Sequence, residues 1–223
     1  MNAVTQSAAQ VRSSMPDSTP IVYIVDDDIS IRESLEALIA SAGWRPEVFV
    51  CAQDFLNHSR KRAPGCLILD VSLPDLNGLE LQQRIAANQA ELPIIFITGC
   101  GDIPMTVQAM KAGAVEFLTK PFDTDALLAA VDAAVTRSRT ELAEDADLQL
   151  LRKRFESLSR REREVMELVV RGRLNKQVGA TLDISEITVK AHRGRMMKKM
   201  RARSLADLVN MAARLQLQTA HDR

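Results

Sequence analysis

Residues far apart in the chain carry side chains that could act together on one charged ligand: the run Asp26, Asp27, Asp28, the single Asp70, the hydroxyl of Thr98 and the ammonium of Lys120. A carboxylate such as Asp70 can attack phosphorus as a nucleophile. Neighbouring acids repel one another unless a cation lies among them, and hard oxygen donors with one or two carboxylates suit Mg²⁺. Lys120 adds a mobile positive charge, Thr98 a hydroxyl donor, and Gly99 leaves room for an incoming group. Such a set could stabilise the three equatorial oxygens of a phosphoryl group in transit, where catalysis is mostly positioning and charge neutralisation. Taken singly, each residue also has an ordinary role: Asp28 as a helix cap, Asp70 as a turn former, Thr98 as a strand residue, Lys120 as a solvated lysine.

The elements that must position these groups follow from the hydrophobic pattern. IVYIV (21–25), RPEVFV (45–50), CLIL (66–69), PIIFIT (93–98) and AVEFLT (114–119) read as five short strands. Helical stretches lie between them: Ile31, Leu35, Leu38 and Ile39 mark the inner face of one ending near Gly43, followed by 52–61, 79–88, 104–111 and one opening at Asp123 or Thr124. This alternation predicts an α/β, flavodoxin-like, doubly wound parallel sheet of order 2-1-3-4-5, with its site at the switch point beside strand one. The candidate residues then leave one carboxyl edge, at the ends of strands one, three, four and five.

The net charge of zero divides unevenly along the chain. Residues 21–135 hold 8 Lys+Arg against 16 Asp+Glu, whereas residues 158–215 hold 14 against 6. A basic C-terminal half points to a polyanionic partner, and its apolar positions look like core rather than a lipid-facing stripe, so nucleic acid is expected and membrane is not. Cys51, Cys66 and Cys100 are an odd number without metal-ligand spacing, which fits a reducing cytoplasm. Residues 1–19, rich in Ser, Gln and Ala, read as a disordered leader without a signal-peptide run, and 216–223 as a tail. Residues 136–157, with 5 basic and 5 acidic side chains, read as a helical linker whose Leu148, Leu151 and Phe155 could pair with another chain or dock on a domain.

In the basic half, Ser159-Arg160-Arg161-Glu162 is a capping box opening a helix that closes at Gly172. A second helix runs from about Lys176 to Leu182, a tight turn passes through Asp183, and Ser185 caps a third. Three short helices with that turn predict a helix-turn-helix. On the third, Val189, Met196 and Met200 share a core-facing side, His192 lies toward it, and Ile187, Lys190, Ala191, Gly194, Arg195 and Lys198 point outward. Small residues there allow close approach to a major groove, and flanking cations can meet phosphates or guanine edges. The candidate DNA contacts are Lys176, Thr188, Lys190, Ala191, Arg193, Arg195 and Lys198.

Residues 20–135 resemble the receiver domain of two-component response regulators, on VDDD, LDVSLPDLNG, ITG and MKAGAVEFLTKPF in order and spacing. Residues 158–215 resemble a LuxR-type DNA-binding domain, on LSRREREVMELVVRG, NKQV, LDISEITVKAH and KKMRARSLADLV. The combination resembles the NarL/FixJ family. That resemblance implies that a sensor histidine kinase phosphorylates Asp70, that Asp26, Asp27, Asp70 and the Ser72 backbone carbonyl hold Mg²⁺, and that Lys120 pairs with the phosphoryl group. It further implies Thr98 and Phe117 as a switch pair, a cis Lys120–Pro121 bond, homodimerisation on phosphorylation, promoter DNA as ligand, and RNA polymerase as a further partner, with activation the expected outcome. Such a protein is a phosphoacceptor with Mg²⁺-dependent self-phosphorylation and self-dephosphorylation and is otherwise no enzyme. Leu73 replaces a frequent Met, conserving volume. Gly179 replaces a usual Ala, at an expected helix cost of about 1 kcal/mol.

Two other functions compete with this one. A phosphatase of the haloacid dehalogenase class needs a second Asp two positions after its nucleophile, where this chain has Ser72. A phosphorylation-independent DNA-binding regulator, with the receiver as a dimerisation module, is left open by the residues alone.

Overall fold

The computed structural model describes residues 19–87, 92–99 and 103–216. The leader (residues 1–18), the end of the third helix at 88, Cys100 and residues 217–223 of the tail lie outside them. The chain divides into two units between Ala143 and Glu144.

In the first unit, short apolar runs make buried strands: β1 (Ile21–Val25), β3 (Gly65–Asp70) and β4 (Ile94–Thr98) are buried at every position. With β2 (Arg45–Phe49) and β5 (Glu116–Thr119) they form a parallel sheet in the order β2-β1-β3-β4-β5, as the alternation predicts. Register brings Val25 opposite Leu69 and Thr98 opposite Thr119, so the strand ends finish level with one another. Helices α1 (Ile29–Ser41), α2 (Ala52–Asn57), α3 (Gly78–Ala87), α4 (Ile103–Lys111) and α5 (Thr124–Glu156) follow the strands. Each sheet face carries its own core: Tyr23, Leu67, Leu69 and Phe96 with Phe55, Leu81 and Ala109 on one, and Ile24, Ile68 and Ile97 with Leu35, Ile39, Leu127 and Val131 on the other.

Helix α2 stops at Asn57, four residues short of the predicted end. The backbone of His58 turns extended, and its ring packs against Tyr23 and Phe49 while its Nε2 lies 3.1 Å from Glu47, a tertiary pull that outweighs local helix propensity. Strand β5 begins at Glu116 rather than Ala114. Cys66 is buried, and burial pushes its thiol up to about 12, leaving it inert.

The second unit has four described helices beyond α5 where three were predicted: α6 (Arg160–Val170), α7 (Asn175–Leu182), α8 (Glu186–Met200) and α9 (Leu205–Arg214). The capping box is complete, with Ser159 N–H donating to Glu162 Oε2 at 2.8 Å and Glu162 N–H to Ser159 Oγ at 3.3 Å. Asp183 adopts the left-handed conformation that ends α7, and Ser185 caps α8. Val165, Met166, Val178, Val189, Met196, Met200, Leu208 and Ala212 form the core, and each large apolar side chain buried there contributes roughly 1.5–3 kcal/mol. Leu151 is buried in this core and Phe155 packs on it, so this part of α5 docks within its own unit.

Gly179 corrects the expectation from propensity. A Cβ there would lie 2.7 Å from the Ile184 carbonyl oxygen, so Ala would force the α7–α8 turn to move. Glycine is required by the closeness of the turn, and its helix cost is the lesser of the two.

Candidate functional site

Each acidic group reaches the pocket because a buried strand ends beside its neighbour. Asp26 follows β1 and is fully buried, Asp70 ends β3 and is nearly so, and Asp27 is exposed. One carboxylate oxygen from each lies within 4.8 Å of the others. Lys120, just past β5, donates from Nζ to Asp26 Oδ2 and to Asp70 Oδ2, at 2.7 Å each. Asp26 Oδ1 accepts from Asp28 N–H at 2.9 Å, and Asp70 Oδ1 from Ser72 N–H at 3.0 Å. Asp28 also caps α1 through Ser30 N–H, so its ordinary role holds.

Electrostatics fit this geometry. Burial pushes the Asp26 carboxyl above its usual range, ahead of the opposing bonds from Lys120 and Asp28. Burial works against the Lys120 ammonium, but its bonds to Asp26 and Asp70 outweigh this and hold its pKa up. A cation is therefore already required by the acids. The donor set, three carboxylate oxygens gathered in one place, also suits a small hard cation.

Thr98 is buried at the end of β4, and its carbonyl accepts from Lys120 N–H at 2.7 Å, tying the two by backbone. Phe117 on β5 is half-buried on the sheet face that carries Phe96, with ring centroids 6.1 Å apart. The Lys120–Pro121 bond is cis. Two supporting contacts have no local sequence signal. Arg32 Nη1 donates to the Asp26 carbonyl at 2.7 Å, and Asp75 accepts from Gln53 N–H at 2.9 Å and Ala52 N–H at 3.3 Å. The latter bonds fasten the loop after Asp70 to the start of α2.

In the second unit the predicted outward face of α8 is observed. Ile187, Lys190, Ala191, Gly194, Arg195 and Lys198 are exposed, as is Lys176 in the first turn of α7. Lys190 pairs with Glu186 at 3.2 Å. Arg195 lies 3.8 Å from Glu162 and, through Nη2, 3.3 Å from His192 Nδ1. Thr188 and Arg193 are half-buried and already engaged: the Thr188 hydroxyl meets Ser185 Oγ at 2.8 Å, and Arg193 Nη1 donates to Asn175 Oδ1 at 3.1 Å. Sequence reasoning missed Glu162 as an anchor of α8, where Lys199 Nζ reaches it at 2.6 Å.

A family model described as response regulator receiver domain matches residues 22–132, and one described as bacterial regulatory proteins, luxR family, matches residues 156–212. Nodulation protein W of Bradyrhizobium diazoefficiens is 50% identical over 201 residues, 90% of this chain and 88% of that one. The chain belongs to the NarL/FixJ family of response regulators. Transcriptional regulatory protein FixJ of the same organism is 42% identical, over 86% of this chain and 94% of its own. Among solved structures, response regulator StyR superposes with a TM-score of 0.79 at 46% identity, covering 88% of this regulator and 99% of that chain. The regulator is thus a two-component transcription regulator, with a kinase as its input and DNA as its ligand. No described helix is long and apolar enough to cross a membrane.

Proposed function

We propose that Asp70 is the phosphoacceptor through which a sensor histidine kinase controls dimerisation and sequence-specific DNA binding. The observation that carries this reading is the sharing of Lys120 between Asp26 and Asp70 at 2.7 Å, with Asp27 beside them. A carboxylate oxygen of Asp70 attacks the phosphorus of the kinase phosphohistidine, the P–N bond breaks, and an acyl phosphate forms. Asp26, Asp27, Asp70 and the Ser72 backbone carbonyl hold Mg²⁺, which when bound neutralises charge on the phosphoryl oxygens. Lys120 exchanges its bond to Asp70 for one to a phosphoryl oxygen, and the Thr98 hydroxyl donates to another. Movement of Thr98 lets Phe117 turn further inward, and the phosphorylated state is the one that dimerises. The same pocket supports self-phosphorylation by small phosphodonors and self-dephosphorylation by water.

The receiver then spans residues 20–135, the linker 136–157 and the DNA-binding domain 158–215, in a cytoplasmic protein. A dimer places two copies of α8 on two half-sites, which raises affinity beyond what one small domain supplies. Ala191 and Arg195 face the groove, Lys190 and Lys198 flank it and meet phosphates, Lys176 meets the backbone, and Thr188 and Arg193 exchange their present partners for phosphates. RNA polymerase is recruited to activate transcription.

Binding to sites enriched from a random duplex library tests the proposal. Acetyl phosphate with Mg²⁺ should tighten wild-type binding by about tenfold or more and leave Asp70→Asn unchanged. Equal tightening in both proteins, or in neither, would point to control without phosphorylation of Asp70.

A further inference from the structure

Ile187, the second residue of α8, is 80% exposed, among the most exposed large apolar side chains described. Nothing on its own helix covers it. One turn on stand Lys190, paired with Glu186, and the small Ala191, and one turn further Gly194, where even an added Cβ would meet nothing within 4 Å. The side chain therefore projects from the first turn of the second helix of the helix-turn-helix, the part of such a helix that reaches base edges.

The chemistry of the groove limits what it can meet. Guanine, adenine and cytosine present donors and acceptors in the major groove, and covering them with an aliphatic side chain removes water without returning a hydrogen bond. The C5 methyl of thymine is the apolar group available there, and contact with it lets both surfaces leave water. We infer that Ile187 is a specificity-determining residue that selects thymine, through its methyl group, at one position in each half-site. Lys190 and Lys198 set affinity on the flanks, while Ile187 makes a choice of base that no cation on the helix can make. This inference rests on the reading of α8 as the DNA-contacting helix.

The test uses the full chain treated with acetyl phosphate and Mg²⁺, wild type and Ile187→Ser, each selecting sites from a random duplex library. Wild type should enrich a thymine in each half-site, and replacing that thymine with uracil, which removes only the methyl, should weaken binding about fourfold. Ile187→Ser should lose the preference at that position, bind thymine and uracil duplexes equally, and keep the rest of the motif and its salt dependence. A thermal melt matching wild type confirms that the exposed substitution leaves the fold intact. Enriched sites that bind equally well with uracil at every thymine, or a variant that still demands the methyl, overturn the inference and leave α8 as the reading helix. If neither protein enriches any sequence, the reading of α8 fails as well.

Discussion

At the sheet edge, Asp26 is fully buried, Asp70 is nearly so, and one lysine holds both at 2.7 Å. On α8, Lys190, Arg195 and Lys198 stand in solvent, Lys190 pairing with the exposed Glu186 at 3.2 Å and Arg195 lying 3.8 Å from Glu162. The contrast follows from the ligands. A phosphoryl group is small, so the protein must supply nearly all of the geometry in advance, from strand ends fixed by a close-packed core. DNA brings its own regular array of charges and base edges, so the cations that meet it stay hydrated and mobile until it arrives. Stability and chemistry should therefore be coupled in the first unit and separable in the second.

The largest effect should come from Lys120→Ala. It leaves Asp26 buried without its ammonium partner and should cost the first unit about 3 kcal/mol. Urea unfolding followed by Trp44, the single tryptophan, reads that unit alone. Added Mg²⁺ should return part of the loss, and a loss under about 0.5 kcal/mol would break the proposed coupling.

Acid sharpens the comparison at an intermediate scale. Burial pushes the Glu162 carboxyl up, but bonds from Lys199 and Ser159 outweigh it and hold it below the usual glutamate range. A depressed carboxyl contributes stability above its unfolded value, near 4.5, and loses it as pH falls through the folded value. Glu162→Gln should thus cost the second unit about 1–2 kcal/mol near neutral pH, and the difference from wild type in far-UV circular dichroism melts should vanish in acid. Asp26 has the opposite sign: its raised carboxyl gives a contribution that grows as pH falls through that value toward 3.8.

The smallest change in stability belongs to Lys198→Ala, within about 0.5 kcal/mol. The same substitution should weaken DNA binding across all sequences and lower the salt slope by about 1, measured by titration at several salt concentrations.

The same contrast decides what the sequence makes legible. The sheet order and the carboxyl-edge pocket can be read because short apolar runs and single polar residues after them are local signals, and parallel topology does the rest. Helix α2 could not be ended correctly, since His58 is turned by rings of Tyr23 and Phe49 elsewhere in the sheet. Arg32 on the Asp26 carbonyl, Asp75 on α2, and Glu162 under Lys199 are contacts between groups that share no period. Helix α9 did carry a signal: Ser204 three residues before Asp207, with Leu208 and Ala212 at helical spacing. On α8 the exposed face is legible, but the ties of Thr188 to Ser185 and Arg193 to Asn175 are set by the cap and by α7.

Intact mass after incubation with Mg²⁺ and acetyl phosphate, for wild type and Asp70→Asn, tests the assignment of Asp70 most directly. A single phosphoryl adduct that requires the metal and is missing from the variant is the expected result. An adduct that persists in Asp70→Asn, or wild type that takes up none, would contradict it.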